Sequence, residues 1–145
     1  MSMTGQILVG FGWTVFTLTI AVGFITVLVE GLDWILARVR GLLDIVRIAL
    51  ILTISVVWML IGVLVVVFSW AFLFQWGGVF QHLEDSFYFA IATATTVGYG
   101  DVVAPEAWRI VAGFAAADGF IVFGLDTAVL FDVLRRLREE EVKVS

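Results

Sequence analysis

Three stretches of this chain are too long and too apolar to be packed inside a soluble domain of its size. The first, residues 7–29, and the second, residues 48–75, contain no charged residue. The third, about 107–134, is apolar apart from Arg109, Asp118, Asp126 and Asp132. A helix needs roughly 20 apolar residues to cross the hydrocarbon core. Lipid offers the backbone no hydrogen-bond partners, so each crossing segment must satisfy its own N–H and C=O groups by forming a helix. The expected fold is therefore all-α, an integral membrane protein with three transmembrane helices. The composition agrees: 62% of the 145 residues are hydrophobic and 14% are charged, against about 25% charged in a soluble domain.

The remaining composition narrows the chemistry. There is no cysteine, one histidine (His82) and one proline, which excludes disulfides, thiolate metal sites and cysteine nucleophiles. No nucleophile–base pair or metal cluster is visible, so an enzyme is not expected. The net charge is −5, and no broad basic face is present of the kind that nucleic acid requires. No helix repeats arginine every third residue as a voltage sensor would, and no Walker motif marks an ATP-driven pump.

The arginines set an orientation. Arg38, Arg40 and Arg47 lie between the first two apolar segments, and Arg135, Arg136, Arg138 and Lys143 come after the third. Basic connections stay in the cytoplasm. Both of these regions are then inside, and the N-terminus and the 76–108 region face outside a cell membrane. On that orientation Trp70, Trp76 and Trp108 belong near the outer interface and Trp34 near the inner one.

Two shorter pieces lie between the spans. Residues 33–47 mix Trp34, Ile35, Val39, Leu42, Leu43 and Val46 with Asp33, Arg38, Arg40, Asp44 and Arg47. They read either as an amphipathic helix on the membrane surface or as a helical run-in to the second span. Residues 85–95 are apolar but too short to span, which fits a re-entrant helix with Asp85 or Ser86 as its N-cap.

The residues just after that short helix carry the function. Positions 95–101 read Thr-Thr-Val-Gly-Tyr-Gly-Asp. An ion crossing a bilayer must exchange its water for other oxygens, and backbone carbonyls are a fixed, uncharged source of them. Aiming consecutive carbonyls at one axis requires residues with φ > 0, which Gly98 and Gly100 adopt at no steric cost. Thr96 adds a hydroxyl oxygen, while Val97 and Tyr99 can wedge the segment from behind. The string is the known signature of a potassium filter.

With this motif after a short apolar helix and between two spans, residues 48–138 resemble the two-helix pore domain of small prokaryotic potassium channels. Some relatives carry an extra N-terminal span. The resemblance implies a pore domain over 48–138, preceded by a transmembrane helix and cytoplasmic connection over 1–47 and followed by a short tail over 139–145. It implies a homotetramer in a lipid bilayer, with no obvious soluble partner. Its function would be passive, potassium-selective conduction, with potassium the permeant ion. Thr96, Val97, Gly98 and Tyr99 would be the ion ligands, supported by Gly100, Asp101 and Tyr88. Gly119 falls at the hinge position of the pore-lining helix. Phe120, Phe123, Thr127, Phe131 and Arg135 would face the cavity, their spacings of three and four keeping them on one helical face. Phe131 would be the gate, closing the pore by dewetting, and Asp126 would flank the cavity. Asp118, half a turn away from Thr127, is expected to face a neighbouring helix. In one respect the chain departs from proton-gated members. They pair the filter aspartate with a carboxylate where this chain has Ala92, which leaves Tyr88 as the candidate donor to Asp101. The alternatives are a weakly selective cation channel and a non-conducting accessory membrane subunit.

Overall fold

A computed structural model describes residues 1–39 and 43–144. Its elements are α1 (Met3–Arg38), α2 (Asp44–Trp76), the short α3 (Leu83–Ala94), a 3-10 turn (Glu106–Trp108) and α4 (Arg109–Val144). The described residues contain no strand. Helices α1, α2 and α4 are each long and apolar enough to cross a membrane, so the chain is an all-helical, multi-pass membrane protein.

Residues 33–47 form neither a separate surface helix nor a run-in to α2 alone. Residues up to Arg38 close α1, and Asp44–Arg47 open α2; Arg40 and Leu42 lie outside the described residues. The physical reason is length. The 36 residues of α1 rise about 54 Å at 1.5 Å each, well beyond the roughly 30 Å hydrocarbon core. A helix that overshoots the core can turn polar at its end without breaking. There Arg38 lies over the Trp34 ring, 5.5 Å from its centroid. Likewise α4 continues through residue 138 without a break, so the 139–145 tail begins as helix.

Between helices in lipid, apolar burial drives nothing, because lipid tails are as apolar as leucine; close packing and hydrogen bonds hold them together. Both are present here. Gly10 of α1 lies so close to the Phe114 ring of α4 that a methyl group would collide with it. The Gln6 side chain, buried on α1, accepts the Ile110 N–H at 3.1 Å. That satisfies one of the orphan donors at the start of α4. Further along, Thr17 meets Asp118, and Leu32 and Leu36 pack with Val133 and Leu137. Residue numbers rise together on the two helices, so α1 and α4 run in the same direction, side by side along most of their length. Helix α2 runs against them: Trp58 donates to the Phe24 carbonyl at 2.9 Å, and Trp70 reaches Asp118. The main core gathers Trp70, Phe74, Phe89, Val111 and Ala115 where α2, α3 and α4 meet.

Trp70 is 1% exposed, which corrects its expected place in an interfacial belt. Its indole N–H has a carboxylate partner inside the protein, so it has no need of the interface. Trp34 and Trp76 are exposed.

Candidate functional site

Helix α3 is wedged against α2 and the loop before it by aromatic packing. The Phe89 ring meets Phe74 edge-on at 5.2 Å and Phe80 at 5.1 Å, and Phe87 lies 4.4 Å from Phe68. The helix begins one turn earlier than its sequence suggested. Its N-cap is His82, with no side-chain capping bond, not Asp85 or Ser86. Ser86 sits inside the first turn, buried, and its hydroxyl donates back to the His82 carbonyl at 3.2 Å.

The segment after α3 neither continues the helix nor becomes a strand. Thr96, Gly98 and Gly100 have φ of 59°, 51° and 81°, whereas Val97 and Tyr99 between them keep negative φ. Residues that alternate between the right- and left-handed regions line up successive N–H groups on one side of the chain and carbonyls on the other. A strand would turn them to opposite sides in turn. Three bonds tie the start of the segment to α3. The Thr95, Thr96 and Gly98 N–H groups donate to the carbonyls of Ile91 (3.0 Å), Thr93 (3.0 Å) and Ala92 (3.1 Å). The carbonyls of Thr96, Val97, Gly98 and Tyr99 accept no hydrogen bond from the described residues.

The outer end of the segment is pinned from behind. Tyr88 Oη donates to Asp101 Oδ2 at 2.7 Å, and the Val102 N–H donates to Asp101 Oδ1 at 3.0 Å. The rings of Tyr88 and Tyr99 stack with centroids 6.4 Å apart. The hydrogen bond from Tyr88 holds the Asp101 carboxyl below its ordinary value, and the same bond pushes the Tyr88 hydroxyl up.

Below the segment runs α4. Gly119 rests on the backbone of Ala94, the last residue of α3, and has no room there for a methyl group. That is a packing reason for a glycine at this position, and α4 passes through it as continuous helix. Phe120 and Phe131 are 74% and 69% exposed. Phe123, Thr127 and Arg135 are exposed with them, so most of this face of α4 is uncovered, with Phe123 and Thr127 bordering a groove shared with α2. Asp126 is half-buried at the flank of this face: it lines that groove with Phe123 and Thr127 and with Val56, Met59, Leu60 and Val63 of α2. Asp118 faces the opposite way from Thr127 and is fully buried against α1 and α2. Its two partners, Thr17 and Trp70, were not legible as site residues.

A family described as "Ion channel" matches residues 60–136, just over half of the chain. No curated protein and no solved structure matches it.

Proposed function

The chain belongs to this ion channel family, and from that we propose that it is the subunit of a potassium-selective pore. Membership supports a transport protein of the bilayer rather than an enzyme. Four copies surround one axis. Thr96, Val97, Gly98 and Tyr99 present their carbonyls to the ion, with the Thr96 hydroxyl below them, and potassium is the permeant species and the only cofactor. The observation that carries this reading is the sign-alternating backbone over 96–100, whose carbonyls are left without partners among the described residues. Backbone of this kind is tolerated at membrane depth only where it is buried in protein or lines a water-filled path. The exposed side chains of Val97 and Tyr99 (53% and 73%) and the bare face of α4 are the surfaces that assembly would cover or turn to the cavity. In this arrangement Phe131 gates the inner end and Gly119 is the pivot above it.

Electrostatics favours a cation at both ends. The C-terminal end of α3, partly negative, opens toward the cavity. Glu84, Asp85, Asp101 and Glu106 lie in the segment on the outer side, against one arginine, Arg109, and raise the local cation concentration. The N-terminus is outside and the C-terminus cytoplasmic.

The deciding experiment is flux through purified protein in liposomes, with potassium inside and sodium outside. Potassium-selective, barium-sensitive flux is the expected result. Equal flux of sodium would identify a weakly selective cation channel, and no flux would favour a non-conducting accessory subunit.

The Tyr88–Asp101 bond adds a prediction about pH. The carboxyl is depressed below 3.8, so its bond is intact at neutral pH and is lost as pH falls through that lowered value. The hydroxyl is raised above 10.0, so on the alkaline side the bond survives past the ordinary tyrosine range. Tyr88→Phe removes the donor and returns Asp101 toward its ordinary value. External acid should then reduce the current at a higher pH in Tyr88→Phe than in the parent. An unchanged acid titration would show that the bond does not hold the outer mouth.

A further inference from the structure

Asp118 is the only fully buried carboxyl among the described residues. Its Oδ2 lies 2.6 Å from Trp70 Nε1, which donates to it from α2, and 2.8 Å from Thr17 Oγ1 on α1. Its Oδ1 is buried with no partner among the described residues. A group so costly to place inside a membrane helix is usually there for function. The next residue along is Gly119, which touches the backbone of Ala94. One turn of α4 therefore has the other two long helices on one side and the foot of the 95–100 segment on the other.

We infer that Asp118 is a positioning residue for conduction. Through it, Thr17 and Trp70 hold the Gly119 turn of α4 under the filter, and α1 acts as a control element of the pore. This rests on the channel reading above. The bond from Thr17 is what distinguishes this threonine from the others on α1. Thr19 and Thr26 are exposed and bond only their own helix, at the carbonyls of Val15 and Val22. Thr17 also has the Trp13 and Thr14 carbonyls in reach, at 2.9 and 3.0 Å. The hydroxyl can thus turn from its own helix to the carboxyl without rearrangement, which makes the α1–α4 link separable from the fold of α1.

The test is the open probability of full-length variants in planar bilayers, alongside the thermal stability of each purified complex. Thr17→Val replaces the hydroxyl with a methyl group of similar size and should shift the ratio of open to closed time at least about fivefold, the lower end of ordinary coupling between sites. Thr26→Val makes the same chemical change on the exposed face and should match the parent. Asp118→Asn should stay close to the parent as well. Its amide oxygen, standing where Oδ2 stands, can accept from both Trp70 and Thr17. If Thr17→Val lowers thermal stability yet gates like the parent, Asp118 is merely structural and the inference is overturned. Equal shifts from Thr17→Val and Thr26→Val would overturn it too. A parent protein that carries no flux removes the channel reading, and this inference with it, whereas a conducting parent with unaltered Thr17→Val removes the inference alone.

Discussion

Gly98→Ala should abolish selective potassium flux while leaving the helices intact. Gly98 has φ of 51° and open space where a Cβ would stand, so the objection to alanine is conformational and not a clash. An L-residue in the left-handed region costs about 1–2 kcal/mol. Thr96 already occupies that region at φ 59°, so the parent segment carries strain before the substitution. In the proposed ring of four subunits each copy would add its own penalty, and the segment would relax by returning the substituted residue to negative φ. That turns one ring of carbonyls out of line. A loss of potassium-over-sodium selectivity of at least about tenfold, or of flux altogether, corresponds to about 1.4 kcal/mol or more. The checks are the reversal potential and an unchanged helical circular dichroism spectrum. Retained selectivity would mean that the alternation at this residue is dispensable.

Gly119→Ala is expected to have the second largest effect, for the opposite reason. Here the backbone is ordinary helix, where alanine would normally be favoured over glycine by about 0.5–1 kcal/mol. The space is taken by the Ala94 oxygen, Cα and carbonyl carbon, backbone atoms that cannot rotate away. Overpacking of this kind costs about 1–3 kcal/mol, and relief comes only by pushing α4 from the end of α3. Thermal unfolding in detergent should show Gly119→Ala destabilised. Gly23→Ala, at an open site on α1, should be neutral or slightly stabilised. If the two behave alike, Gly119 is there for flexibility and not for fit.

The spans and the irregular backbone over 95–101 were legible because each leaves an unambiguous local mark. A charge-free run in lipid has no choice but helix, and two glycines alternating with Val97 and Tyr99 declare a backbone that needs φ > 0. The Tyr88–Asp101 bond could be suspected from the carboxylate missing at position 92. Tertiary partners of polar residues inside spans leave no such mark. A threonine in a membrane helix satisfies its own hydroxyl at the i−4 carbonyl, as Thr19, Thr26 and Thr53 do, so nothing in the sequence singles out Thr17. Trp70 likewise reads as an interfacial tryptophan until its carboxylate partner is known. Asp126 borders both α2 and the face of Phe123 and Thr127, because adjacent residues on a helix differ by about 100°. A position at the flank of one face belongs equally to the next.

The parallel pairing of α1 with α4 has a mechanical consequence. A single helix flexes easily at a glycine, but two helices joined at Gln6–Ile110, at Thr17–Asp118 and again at Leu36–Leu137 form a two-ply beam. Bending one ply requires the other to slide, and the cross-links resist that shear above and below Gly119. In the proposed channel, α4 would therefore swing as a rigid lever together with its partner. A force applied to the lipid-facing surface of α1, such as a change in bilayer thickness or tension, would then reach the inner end of α4 without passing through the 95–101 segment.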